Sequence, residues 1–395
     1  MSRQRPTVAH RLAAGLPGGL LLACPAWLGA QTLAQPPDLA PAGWGAEVLL
    51  QSDRFSDPLP LADLLASRLA GLKVRHGQSL IYLRDEARMT ARLPPGWAAP
   101  ASGQTTLSVL ARQSATLVAN RGAVTLTQDI AASGPPPGDY DAQVNLRLRA
   151  FAGWGAEWGW QGAASEHGLQ WQVAVQGLQL VRVLTRDIQG WAQFDATNAS
   201  YATQLQSDQF NDRHRYPFQG PSEPRGWAWL GQVNLRWQAS PQWAWHVGVT
   251  DLGWLHWRRV AHETARLDSQ VASTDSQGNV VYASLVNGHN GQDTLATRAP
   301  ATWRLGGAWG WAPGSTLEAD VRKITGVQAW LPYSGVRQAW GEGPEAWGLS
   351  AGWRWHERAV QLGLQHGPWQ VQLAGDALDA SARSRMASVR WQHRW

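Results

Sequence analysis

The sequence predicts an all-β protein: a transmembrane antiparallel up-and-down β-barrel of about 14 strands. Three observations predict it. Apolar and polar residues alternate with period two over long stretches. Tryptophan accounts for 26 of 395 residues, against 6 Tyr and 5 Phe, and it often marks the ends of those stretches. Past the N-terminus, no apolar run approaches the roughly 20 residues of a membrane helix. A strand spans a bilayer with about 9–11 residues, its alternate side chains facing lipid and lumen. Indole suits the lipid boundary because the ring is apolar and its N–H can meet water.

The leader comes first. Residues 1–30 read as a secretory signal peptide: Arg3, Arg5 and Arg11 precede the apolar stretch Leu12 to Ala23, and Leu28-Gly29-Ala30 or Thr32-Leu33-Ala34 offers a small residue for cleavage. The single cysteine, Cys24, lies within it, so cleavage after Ala30 leaves no cysteine for disulfides, thiolate chemistry or metal. Leu21-Leu22-Ala23-Cys24 loosely matches a lipoprotein box, but Pro25 follows. Residues 31–61 are then expected to be a plug-like or periplasmic segment and 62–395 the outer-membrane barrel. An alternative makes 31–135 a periplasmic domain ahead of a 10–12-stranded barrel.

Alternation is clearest in Val144, Leu146, Leu148, Ala150, Ala152, Trp154, Ala156, Trp158 and Trp160, interleaved with Gln143, Asn145, Arg147, Arg149 and Glu157. It recurs from Leu169 to Val175, Trp227 to Trp237, Trp303 to Trp311 and Trp347 to Trp355. A soluble sandwich also alternates, but its apolar face must meet a second sheet. The chain ends in alternation through Trp391 and Trp395, which read as the signal for barrel-assembly machinery. With a periplasmic C-terminus, strands are expected at 62–75, 78–93, 104–119, 122–131, 142–161, 168–183, 188–206, 226–239, 242–258, 299–311, 315–330, 345–355, 359–375 and 384–395. Short periplasmic turns fall at Pro135 to Gly138, Ser240-Pro241, Pro313-Gly314 and His356-Glu357-Arg358. Long outer loops fall at 207–225, 260–298 and 331–344, the second with a hairpin around Ser276-Gln277-Gly278-Asn279.

Two strands change parity. One switch lies at Thr250-Asp251, next to Gly253; the other lies at Gly367-Pro368. A one-residue shift is what a β-bulge produces, and Pro within a sheet is confined to bulges and edges. Each switch is a kink, a turn between short strands in the second case, or a gap in the wall.

Charge excludes a nucleic-acid binder. The formal charge is +5, and three of the arginines behind it belong to the leader, which has no acid. Inward parity collects Arg84, Arg88, Arg92, Arg112, Arg147, Arg149, Arg236, Arg304, Arg322, Arg354, Arg390 and Arg394. The acids Glu86, Asp129, Glu157, Glu318 and Asp320 join them. Guanidinium pairs bidentately with carboxylates, so the set either braces the lumen or draws in an anionic ligand by focusing charge. His262-Glu263 with Ser269 is the nearest nucleophile–base grouping and matches no catalytic motif. Arg213-His214-Arg215 reads as a solvated loop, and Asp275 to Asn279 reads as a turn before a calcium loop. No metal, cofactor or enzyme activity is expected.

The inferred barrel and kinked wall resemble the long-chain fatty-acid transporter (FadL-like) class. Thr250-Asp251-Leu252-Gly253-Trp254-Leu255-His256-Trp257 looks like a strand motif of uncharacterised barrels of that kind. The family's N-terminal Asn-Pro-Ala is replaced here by Gly43-Trp44-Gly45-Ala46-Glu47, which puts a family-type plug in doubt. The resemblance implies passive uptake of small hydrophobic or amphipathic compounds through the outer membrane of a Gram-negative bacterium, with release sideways through a wall gap. Expected partners are outer-membrane lipid and a hydrophobic or anionic small molecule. A non-transporting structural or secretion-accessory barrel is the second reading and a lipid-modifying barrel enzyme the third.

Overall fold

The structure is a computed structural model. It describes residues 44–69, 71–74, 77–94, 103–132, 136, 138–162, 168–198, 200–214, 224–269, 272–274, 280–282, 286–341 and 346–395. The leader therefore lies outside the described residues. No helix among them is long and apolar enough to cross a membrane.

The strands are β1 (Gly45–Ser56), β2 (Gln78–Leu93), β3 (Gly103–Asn120), β4 (Tyr140–Gly162), β5 (Leu169–Asp195), β6 (Ser200–Asn211), β7 (Arg225–Gln238) and β8 (Trp243–Asp268). There follow β9 (Ala272–Thr274), β10 (Val280–Tyr282), β11 (Val286–Arg298), β12 (Thr302–Ala312), β13 (Ser315–Ile324), β14 (Leu331–Trp340), β15 (Trp347–Arg354), β16 (Ala359–His366), β17 (Trp369–Gly375) and β18 (Ser384–Arg394). The short helix α1 is Leu61–Leu65 and α2 is Arg121–Ala131.

Among the described residues, 14 antiparallel staves close a barrel. The seam joins β1 to β18, from Gly45 opposite Arg394 to Phe55 opposite Ser384. Two staves are each built from two pieces. β6 and β7 both run antiparallel to β5, one beside its second half and one beside its first. β11 and β12 divide β8 in the same way. Both chain ends of the barrel lie at one rim, called here the terminal rim; the opposite rim is the distal rim.

The expected number of strands is met through compensating corrections. Residues 45–56, expected in a plug-like segment, form β1 in the wall, and β1 to β3 exclude a separate domain over 31–135. Residues 62–75 are not a strand, and 122–131 lies within α2. There Asn120 caps the helix, its Oδ1 accepting from Ala123 N at 3.0 Å. The expected strands 168–183 and 188–206 resolve into one 27-residue strand, β5, followed by β6. The expected loop 331–344 contains β14; Pro332 disguised it, yet Pro332 O accepts from Trp355 N at 3.0 Å. The expected loop 260–298 is largely strand, occupied by β8 and β11, and the expected loop 207–225 opens with the end of β6 at 207–211. The expected hairpin around 276–279 is present as β9 and β10, its turn outside the described residues. These changes reverse β4 and β15, so His356-Glu357-Arg358 and the α2–β4 connection sit at the distal rim.

Parity sorts the surface. Trp158, Trp237, Trp243, Trp245, Trp309, Trp311, Trp340, Trp347 and Trp369 are exposed towards the terminal rim. Rings stack within this belt, Trp243 on Trp309 at 5.8 Å. Trp227, Trp229, Trp254, Trp303, Trp330 and Trp355 are exposed towards the distal rim. Between them stand bare Leu and Val such as Val247, Leu305, Leu349 and Leu362. Trp347 and Trp355 are separated by roughly 26 Å of strand, which after tilt is on the scale of the ~25 Å apolar band of membrane barrels. So large an apolar surface is stable against lipid and not against water. Beyond the distal belt the same parity continues on β3 to β6 but is covered by protein. Leu117, Leu148 and Leu184 pack under Leu59, Leu69 and Leu72 of the β1–β2 connection and under Ala123 and Val124 of α2.

Candidate functional site: the lumen and its broken wall

The inward face carries ion pairs, and the longest network starts at a bulge. β8 holds one more residue than β7 between Val249 and Leu252, so Thr250-Asp251 is a β-bulge. Asp251 adopts φ 64°, which non-glycine residues seldom adopt. The kink turns its carboxylate into the lumen. There it accepts from Arg112 Nη1 and Nη2 at 2.7 and 2.9 Å and from Arg84 at 3.0 Å. Arg84 and Arg88 share Glu86. Arg88 also donates to Glu157 at 2.7 Å, and Gln176 bridges Glu157 back to Arg112.

Other sequence-predicted residues are distributed over separate clusters. Arg322 and Arg354 converge on Asp53 at 2.9 and 3.0 Å, with Tyr82 and Glu357 completing a buried group. Arg304 pairs with Asp320 at 2.9 Å, and His246 reaches the same carboxylate at 3.2 Å. Arg390 and Arg92 share Glu47. Arg149 binds Asp187 through two hydrogen bonds, and the more exposed Arg147 lies 3.7 Å from it. The sequence reading missed five luminal acids, Glu47, Asp53, Asp187, Asp251 and Glu357, so the expected large surplus of Arg shrinks. Glu47 and Asp53 were legible by their odd parity with Gln51, had β1 been recognised. Asp129, expected inside, sits on α2.

Arg236 and Glu318 differ from the rest. Both line a luminal cavity of about 190 Å³, together with Arg337, His246 and Tyr333. Arg337 donates to Gln365 at 3.0 Å. Among the described residues, neither Arg236 nor Arg337 has a carboxylate within 4 Å, and Glu318 has no cation that close.

Beside the charged network the lumen turns apolar. Leu110, Phe151, Leu178, Leu180, Leu230, Leu255 and Trp257 form one buried cluster on the inward faces of β3, β4, β5, β7 and β8. The Arg112 guanidinium lies 5.5 Å over the Phe151 ring. Trp257 faces Gly226, where a Cβ would collide with the indole nitrogen. The cluster sits where the wall is least regular: β5 carries an extra residue at Val181, β6 gives way to β7, and β8 is bulged near Asp251 and again near Arg259.

The two expected wall breaks part company. At Thr250-Asp251, near Gly253, the ladder is interrupted, yet Ala299 N donates to Gly253 O at 3.1 Å across the junction of β11 and β12. Gly367-Pro368 is no break. It is the turn of the β16–β17 hairpin, with Gly367 at φ 54°. Trp391 and Trp395 lie at the terminal rim, Trp391 opposite both Val48 and Trp369. His262 is engaged by Asp208 and Asp293, and Ser269 by Thr203, so the weak catalytic trio is dispersed.

No protein-family model matches the chain, and no curated protein matches it. Solved structures do. The P. putida toluene transporter TodX is 11% identical, with 90% of this chain and 91% of that chain covered and a TM-score of 0.39. The Ralstonia pickettii toluene transporter TbuX is 9% identical, with 90% of each covered and a TM-score of 0.35. A Pseudomonas aeruginosa FadL homologue is 6% identical, with 89% of each covered and a TM-score of 0.32. The chain resembles FadL-like barrels. At these identities the likeness concerns architecture alone.

Proposed function

We propose that the barrel is an outer-membrane route for passive uptake of small hydrophobic or amphipathic compounds. One observation carries the reading: the lumen holds a contiguous apolar cluster around Trp257, where membrane barrels ordinarily have polar interiors. When its packing opens, such an apolar cluster takes up apolar solutes by removing their surface from water. A separate luminal cavity, towards the terminal rim, offers the guanidiniums of Arg236 and Arg337 to a polar head. Sideways release fits the region of the apolar cluster, because its staves are the interrupted ones. The seven-membered network around Asp251 stands beside this path and must loosen for a solute to pass.

A second reading, a non-transporting structural barrel, is favoured by the completeness of those ion pairs, which brace the wall without needing a ligand. Proteoliposomes separate the two. Uptake of a small aromatic hydrocarbon faster than into empty liposomes is expected; rates equal to empty liposomes would overturn transport and leave the structural barrel.

A further inference from the structure

The outward face of the broken wall carries a charge pattern that neither folding nor uptake requires. Arg225 of β7 and Arg258 of β8 are directly opposite each other in the register, on the lipid-side parity of Trp227 and Trp254. Arg259 follows in a left-handed conformation, φ 58°, at the second bulge of β8. Arg298 of β11 lies opposite Trp254. All four arginines are exposed, as are Trp227, Trp229 and Trp254; Arg298 is level with Trp254 and the other three lie above it. Among the described residues, Arg258, Arg259 and Arg298 have no carboxylate within 4 Å.

Height fixes the chemistry. Trp254 stands in the distal aromatic belt, and Arg258 lies about 13 Å further along the strand, roughly 10 Å higher after tilt. That is headgroup depth, above the hydrocarbon. On the same strands, the terminal rim presents Trp237, Trp243 and Trp245, and no outward Arg accompanies them among the described residues. The barrel thus carries indoles at both boundaries but this arginine cluster at only one. Planar guanidiniums bind phosphate oxygens bidentately.

We propose that the outer faces of β7, β8 and β11 at the distal rim form a binding site for the phosphate groups of a phosphorylated lipid, the class to which lipid A of an outer leaflet belongs. The site rests on the barrel's membrane setting and is independent of transport.

Native mass spectrometry of the purified barrel, titrated with diphosphoryl lipid A or its dephosphorylated form, tests this. The wild type retains the diphosphoryl form at least tenfold more strongly. The variant Arg225→Gln/Arg258→Gln/Arg298→Gln loses that preference, while Arg358→Gln/Arg385→Gln, across the barrel, keeps it. Melting adds a second readout. Diphosphoryl lipid A raises the unfolding temperature of the wild type, and Arg258→Gln reduces that rise. Equal retention of both lipids by the wild type, or full retention by the triple variant, overturns the proposal.

Discussion

The two sides of the barrel are built differently. On one side β4, β5 and β8 are 23, 27 and 26 residues long and rise past the distal aromatic belt. This side contains the extra residues at Val181, Asp251 and Arg259 and both of the divided staves. From β15 to β17 the strands are 7 or 8 residues long, in unbroken register, and joined by tight turns. The short side shows how little chain a closed wall needs. The tall side shows where the sequence departs from that minimum, and there the lumen is apolar and the outer face collects arginines. Irregularity concentrated on one side makes it the working side of the proposed uptake.

Three substitutions sharpen the contrast. The largest effect belongs to buried groups. Trp257→Ala, on the tall side, empties a fully packed luminal site and should cost about 3–5 kcal/mol, read as a lower urea midpoint in detergent, with faster hydrocarbon uptake. Asp53→Ala leaves the two buried cations Arg322 and Arg354 with Glu357 as their one shared carboxylate. It should also cost about 3–5 kcal/mol, but with uptake unchanged, since the Asp53 cluster lies away from the apolar path. Gly367→Ala is the smallest. A side chain at φ 54° in the β16–β17 turn costs about 1 kcal/mol, and uptake stays at the wild-type rate. A gain or loss of uptake there would restore Gly367-Pro368 as a gate.

The short side's faces were legible in sequence because Trp347, Leu349 and Leu362 alternate without interruption; what sequence hid was the turn. Gly367-Pro368 shifts parity whether it bends a strand or ends one, and periodicity cannot separate these. On the tall side, Leu184 and Ile188 were assigned to the flanks of a turn because the bulge at Val181 breaks the alternation within one strand. α2 was misread for a related reason: Val124 and Leu126 alternate, and only the Asn120 cap reveals the helix. The luminal arginines were legible from parity. Their partners were less so, because Asp251 reaches Arg112 from 139 residues away in sequence and enters the lumen only through its bulge.

The working-side claim is tested most directly by uptake of a small aromatic hydrocarbon into proteoliposomes carrying wild type, Asp251→Asn or Asp53→Asn. Asparagine tolerates the left-handed backbone at position 251 while withdrawing the charge that holds Arg112 and Arg84. The account predicts wild-type uptake above empty liposomes, a several-fold increase for Asp251→Asn, and no change for Asp53→Asn. Equal rates for all three proteins and for empty liposomes would contradict it.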